Sequence, residues 1–297
     1  MTPTGDPLPE LTQALGGPDP AARAAAARDL GRLGWLARDA LPALAAAADD
    51  TDARVREAAA QAVGQMGPDA VPVLAGLLTH RDKYVRRHAV WGLGRLGPAA
   101  RAAIPDLCRA LRDRDPRTAS GAAQALGALG ADGAGAIPAL AEAMRGTNIV
   151  LCRLAARALS QIGLPALETL TAHLGHADPF VRGESALAVG WMGPAAGPAV
   201  PALARVVRGP GAARAASPSG ERVPAAVGSG TVTPVGPPAA GEVPAEEACR
   251  VYAAQALGRI GPAAADAVAE LRAATRAATA GLRQAARQAL KQIEQAG

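Results

Sequence analysis

Aromatic residues are nearly missing from this chain. Three tryptophans, two tyrosines and one phenylalanine make up 2% of 297 residues, while 49% of the chain is apolar and alanine dominates that share. This excludes a sheet-built core, because strands draw on β-branched and aromatic side chains whereas closely packed helices accept alanine. Cysteine is scarce too. Cys108, Cys152 and Cys249 are odd in number and far apart. That argues against a disulfide framework and a clustered zinc site, and fits a reducing cytoplasm. No run approaches the roughly 20 apolar residues of a membrane span. The opening stretch MTPTGDPLPE lacks the basic start and apolar run of a signal peptide. A cytoplasmic protein with no membrane partner is the expectation. The net charge of +5 permits an acidic partner without demanding nucleic acid.

What the chain does have is glycine at regular intervals. Gly92-Leu93-Gly94-Arg95-Leu96-Gly97 is a literal G-x-G-x-x-G, the form of a phosphate-cradling loop. The motif returns as LGRLG at 30–34, VGQMG at 63–67, LGRLG at 93–97, LGALG at 126–130, LSQIG at 159–163, VGWMG at 189–193 and LGRIG at 257–261, with a degenerate LKQIE at 290–294. Successive copies lie 33, 30, 33, 33, 30, 68 and 33 residues apart. Such a period indicates a solenoid of stacked units.

Positions can be counted back from the closing glycine of each copy. At −15 stand Asp19, Asp52, Asp82, Asp115, Asn148, Asp178 and Glu246. Asp or Asn there suits a helix N-cap, where the side chain accepts from an orphan backbone N–H. Pro20, Pro116 and Pro179 follow at the first helical position. The closing glycine suits a left-handed helix end, and Pro68, Pro98, Pro194 and Pro262 then block continuation. The glycine three residues earlier lies inside the helix and is expected to admit a neighbouring backbone. At −25, Pro9, Pro42, Pro72, Pro105 and Pro138 open a preceding helix. Each unit is therefore two helices, A then B. A dinucleotide site needs a strand before its glycines and a helix after them. Here the glycines end a helix, which excludes that reading.

Arginine recurs at −11 as Arg23, Arg56, Arg86, Arg182, Arg250 and Arg283, with Ala119 and Cys152 as exceptions. These read as a structural ladder pairing with caps of the same or adjacent unit. Asp-x-x-Val-Arg-x-x-Ala-x-x-Ala-Leu-Gly-x-Ile-Gly, carried by Asp178, Val181, Arg182 and Gly193 and by Asp52, Val55, Arg56 and Gly67, resembles the short HEAT-like repeats first associated with phycobilisome bilin lyases. The resemblance covers nearly the whole chain outside one insertion. It implies an all-α, right-handed α-solenoid of about eight HEAT-like helix pairs that binds proteins. The expected organisation is repeats 1–6 and helix A of repeat 7 over residues 1–208, a Pro/Gly-rich disordered insertion over 209–244, and helix B of repeat 7 with a capping repeat 8 over 245–297. Lys291 and Glu294, in the last copy, suit a terminal unit with one face in water.

On a helix at 100° per residue, positions −12, −8, −5, −4 and −1 form the core face. Positions −13, −9, −6 and −2, flanked by −10, fall on the opposite side, where the repeat imposes nothing. Five of the six aromatics occur there: Tyr84, Phe180, Tyr252, Trp91 and Trp191. Tyr84, His88, Trp91 and Arg95 make one line along a single helix. Arginine is frequent in the same sector, including Arg28, Arg32, Arg54, Arg87, Arg95, Arg117, Arg153, Arg157 and Arg259, against two carboxylates, Glu57 and Glu184. Second helices of stacked pairs line a concave side, and aromatics with arginines concentrate binding energy at interfaces. The expected partner-binding residues are Tyr84, His88, Trp91, Arg95, Arg117, Arg153, Arg157, Phe180, Glu184, Trp191, Tyr252 and Arg259. The small Gly121 and Ala128 suggest a pocket between the aromatic groups. The competing reading has the aromatics packing against the next helix B.

Signals for catalysis are sparse. Neither H-E-x-x-H nor G-x-S-x-G occurs. His80 and His176 share a repeat position two residues before a cap. His173-x-x-His176-x-Asp178 spans a helix end and a turn and lacks a fourth ligand. Some HEAT-like proteins are iron hydroxylases built on His-Glu pairs, and that dipeptide is absent here. The expectation is a non-enzymatic scaffold or adaptor that binds an acidic protein segment, with no catalytic residue, cofactor or metal. The alternatives are a bilin-lyase-like protein that holds a tetrapyrrole, and a nucleic-acid-binding solenoid whose arginines meet phosphates while tryptophans stack on bases.

Overall fold

A computed structural model describes residues 7–209 and 244–295. Among them there is no strand. Sixteen α-helices make eight consecutive A–B pairs: α1 (Pro7–Ala14) with α2 (Pro20–Leu33), α3 (Leu41–Ala47) with α4 (Ala53–Val63), α5 (Val71–Leu77) with α6 (Lys83–Leu96), α7 (Ile104–Ala110) with α8 (Pro116–Ala128), α9 (Ile137–Met144) with α10 (Ile149–Ile162), α11 (Leu167–His173) with α12 (Pro179–Trp191), α13 (Val200–Arg208) with α14 (Ala245–Ile260), and α15 (Val268–Ala274) with α16 (Ala280–Gln295). The chain divides into two compact units, residues 1–166 and 167–297. In the first, α2, α4, α6, α8 and α10 pack in succession; in the second, α12, α14 and α16 do. The predicted disordered insertion falls almost wholly on 210–243, which lies outside the described residues. Its flanking helices, α13 and α14, pack on each other as one pair.

The caps form as their chemistry requires. Asp52, Asp82 and Asp178 each accept the amide N–H two residues on, and Asp115 and Asn148 the one three residues on. Glu246 departs from the pattern. It lies inside the first turn of α14, which Pro244 precedes, and pairs with Arg182 instead of capping. A glutamate reaches past its own backbone amides, so the column keeps its charge but changes its role. The closing glycines are more constrained than a left-handed cap. Gly97 sits at φ 53°, ψ −130° and Gly163 at φ 83°, ψ −143°. That mirror-extended region is closed to side chains other than glycine's hydrogen. After most B helices a 3-10 stretch follows, and helix A is short, with proline in its first turn.

The −8 row is buried in all eight copies: Ala26, Ala59, Ala89, Ala122, Ala155, Ser185, Ala253 and Ala286. Alanine suits it because adjacent B helices approach closely. A Cβ added to Gly127 would stand 2.9 Å from the Ala158 Cα of the next B helix. Buried polar groups are satisfied locally. The Ser185 hydroxyl donates to the Val181 carbonyl (2.7 Å), and the Thr118 hydroxyl donates to Asp115 (2.9 Å). In the terminal helix α16, Lys291 and Glu294 are exposed.

The −11 arginines do form a ladder, and it runs forward. Arg23 holds Asp50 through Nε and Nη2 (2.7 and 2.8 Å), Arg56 holds Asp82 (2.9 and 2.7 Å), and Arg86 holds Asp113 (2.7 and 2.8 Å). Each also donates from Nη1 to two carbonyls just before its own helix. Only Arg56 meets a cap. Asp50 and Asp113 stand two residues before theirs, and each accepts the cap's own N–H. His80 and His176 do the same through Nδ1. For His80 this leaves the ring proton on Nε2, directed at Asp49 (3.0 Å).

Candidate functional site

The helix-B sector left free by the repeat is only partly a surface. In the first unit, the rows at −13 (Ala21, Arg54, Tyr84, Arg117, Val150) and −6 (Arg28, Gln61, Trp91, Gln124, Arg157) are exposed throughout. The −2 row (Arg32, Gln65, Arg95, Ala128, Gln161) is exposed or half-buried. The −9 row turns inward, so His88 is half-buried. Burial lowers the His88 imidazole below its ordinary value, while Glu57 opposes that shift. Burial thus favours the uncharged ring.

Helix α6 carries the densest part. Trp91 is 45% and Tyr84 43% exposed. The Arg95 guanidinium lies over the Trp91 ring at 4.8 Å, and the Arg87 guanidinium and the Lys83 ammonium lie 5.0 and 5.2 Å from the Tyr84 ring centre. Such contacts hold a ring and a cation in fixed relation. Trp91 also rests on α4, its Cε3 3.5 Å from where a Cβ of Gly64 would stand. The contact is with the preceding helix B, where the packing alternative named the next one, and the residue is exposed as well. One edge is seated and nearly half the side chain faces solvent.

Several arginines of the sector are already engaged. Arg87 grips Asp115 with two bonds (2.8 and 2.5 Å), Arg54 grips Asp52, and Arg32 pairs with Asp29. These pairs hold Asp115 well below the ordinary carboxylate range, by Arg87 first against a burial penalty, and Asp52 at about 2, by Arg54 first. Arg117, Arg153 and Arg157 are exposed on α8 and α10. Gly121 offers no pocket: Val90 Cγ1 lies 2.9 Å from its would-be Cβ, while Ala128 stays open to solvent.

In the second unit, Trp191 is 48% exposed and Arg259 is exposed, whereas Phe180 is half-buried. Tyr252 is half-buried against α12, with Cδ2 3.2 Å from a would-be Gly183 Cβ. Glu184 is 4% exposed, so it is not part of the exposed surface. The twelve expected residues thus fall into two groups, seven in the first unit and five in the second. The exposed ring-and-cation chemistry concentrates on α6.

Sequence reasoning did not place Trp35 and Leu36. They follow the closing glycine of the first copy, and Trp35 is 63% exposed. Four other copies put proline after that glycine, so the turn does not need an indole. That departure was the available signal. Cys249 is buried, donates to the Glu246 carbonyl (3.0 Å), and has its thiol pushed up by burial first and by Glu246 second. A protonated, enclosed thiol is not a nucleophile. Among the described residues, no group of three or more His, Cys, Asp or Glu side chains is placed to hold a metal ion. Nor is any helix among them long and apolar enough to cross a membrane.

A sequence profile of HEAT repeats matches residues 8–82, 71–154 and 137–217, well over half of the chain. The chain belongs to the HEAT-repeat family. No curated protein sequence matches this HEAT-repeat chain. Among solved structures, an engineered protein is similar at 19% identity and a TM-score of 0.50, covering 97% of this chain and 79% of its own. The complex of CpcE and CpcF of phycocyanin lyase from Nostoc sp. PCC7120 aligns at 21% identity and a TM-score of 0.44, covering 99% and 97%. Computationally designed armadillo repeat proteins for modular peptide recognition align at 20% identity and 0.42, covering 62% and 99%. At these identities the likeness concerns the fold alone.

Proposed function

We propose that this HEAT-repeat protein is a non-enzymatic scaffold or adaptor that binds a protein partner on the helix-B face of its first unit, through acidic segments of that partner. One observation carries the reading: on α6, Tyr84, Trp91 and Arg95 form an exposed line in which a guanidinium is stacked on an indole. The repeat needs none of these side chains together, since the same positions hold alanine, valine, arginine or glutamine elsewhere in the unit. An exposed tryptophan beside arginine is the composition of an interface anchor. The cation excess of the face sets the sign of the partner. Arg117, Arg153 and Arg157 extend it over two further repeats; Trp191 and Arg259 offer a smaller face in the second unit. A cytoplasmic location, and an insertion over 209–244 between helices A and B of repeat 7, belong to the same reading.

The test is affinity capture with the whole chain and with a Trp91→Ala, Arg95→Ala double variant, followed by mass spectrometry and circular dichroism. Partners recovered by the parent and lost from a folded variant support the reading. Partners retained by the folded variant place recognition elsewhere.

A further inference from the structure

The two tryptophans of the first unit come from different repeats but lie against one helix end. Trp91 reaches back from α6 onto Gly64. Trp35, in the turn after α2, has its Cβ 3.8 Å from where a Cβ of Gly67 would stand. Gly64 and Gly67 close helix B of the second repeat, three residues apart, so both tryptophans rest against one short stretch of backbone. Between them lies Gln65, whose Oε1 leans toward Gly31 of α2, with exposed Gln61 one turn earlier. Leu36 is exposed beside Trp35.

Resting on the reading above, we propose that the partner is an extended acidic segment bound across this helix end, with one apolar side chain against Trp91 and a second against Trp35 and Leu36. The chemistry beside and between the anchors selects a polypeptide. Gln61 and Gln65 each carry donors and an acceptor, which match the alternating N–H and C=O groups of an extended main chain. A phosphodiester backbone offers acceptors only. A helical segment has already consumed its main-chain groups internally. Arg95, held over Trp91, meets a carboxylate next to the first anchor.

The geometry sets a spacing. Gly64 and Gly67 lie three residues apart in the turn that follows α4, where Cα atoms at that separation stand within about 7 Å. With one ring's reach on either side, the anchors stand on the order of 12 Å apart. An extended chain advances about 3.3 Å per residue and presents every second side chain on one face, so the matching separation is i and i+4. In a helix the same distance corresponds to i and i+7.

The experiment uses the whole chain and fluorescein-labelled peptides of aspartate and serine that carry one leucine, or two leucines separated as i,i+2, i,i+4 or i,i+7, read by fluorescence anisotropy. The expected result is a dissociation constant for i,i+4 roughly tenfold below the other two-leucine peptides. Trp35→Ala, an exposed site whose loss leaves the melting temperature in place, should reduce i,i+4 binding to the single-leucine level. Trp91→Ala should weaken every peptide. If Trp35→Ala has no effect while Trp91→Ala does, the second anchor is refuted and the α6 site stands. A preference for i,i+7 refutes the extended form. Tighter binding of a single-stranded oligonucleotide of equal charge refutes the polypeptide. If no peptide binds, or if neither tryptophan matters, the clamp and the function it rests on both fall.

Discussion

Arg86 of α6 and Asp113, in the turn that leads to α8, face each other through two parallel bonds of 2.7 and 2.8 Å, both side chains almost wholly out of water. The remaining Arg86 donors reach the His80 and Arg81 carbonyls, and Asp113 accepts the Asp115 amide. One guanidinium therefore joins two repeats and orders the turn before each of their B helices.

Arg86→Ala leaves Asp113 enclosed without its cation and should cost about 3 kcal/mol or more. Arg283→Ala, which among the described residues gives up hydrogen bonds to the Ala277 and Ala278 carbonyls and no carboxylate, should cost about 1 kcal/mol. Urea midpoints of the two variants measure the difference. Equal losses would mean that the carboxylate half of the ladder contributes nothing.

Acid should weaken the fold late. Asp52 and Asp115 ionise far more readily when folded than the roughly 3.9 of a free aspartate. Their contribution is complete above that value and is lost as pH falls toward 2. Arg87→Gln should return the Asp115 carboxyl toward the ordinary range in an NMR titration. An unchanged Asp115 curve would contradict the Arg87 pair.

His88 works over a higher window. Its folded value is lowered by burial, so the unfolded chain binds the proton more readily, and stability declines as pH drops below about 6.5. His88→Gln should flatten the change in melting temperature between pH 7 and 5. A slope identical to the parent's would show that the ring is hydrated.

Two glycines should respond in opposite directions to the same substitution. Gly127→Ala drives a methyl against the Ala158 backbone and should destabilise by about 1–3 kcal/mol. Gly76→Ala, in α5 with no atom within 4 Å of the new carbon, should stabilise by about 0.5 kcal/mol. Calorimetric melting of both variants tests the close approach of α8 and α10 directly.

The period of the closing glycine, the caps before each helix B and the buried alanine row were all legible in the chain. Each obeys a local rule: a φ that only glycine tolerates, an orphan amide that an aspartate satisfies, a face that repeats every 3.6 residues. The same counting located Tyr84, Trp91 and Arg95 on the open side of α6. It did not separate −9 from −6, because a half-buried row and an exposed row differ only in where the neighbouring helix lies. Glu184 and Tyr252 were therefore grouped with residues that face water.

Sequence alone determined that this chain would form helix pairs in register, since backbone conformation and amphipathic period are properties of short stretches. Tertiary structure decided which charges are engaged and which backbone the exposed rings lie against. Arg87 is engaged by an aspartate 28 residues away, and Trp35 and Trp91 share the end of a helix to which neither belongs. Those outcomes depend on packing between repeats, where a difference of a few ångströms turns a free arginine into a structural tie.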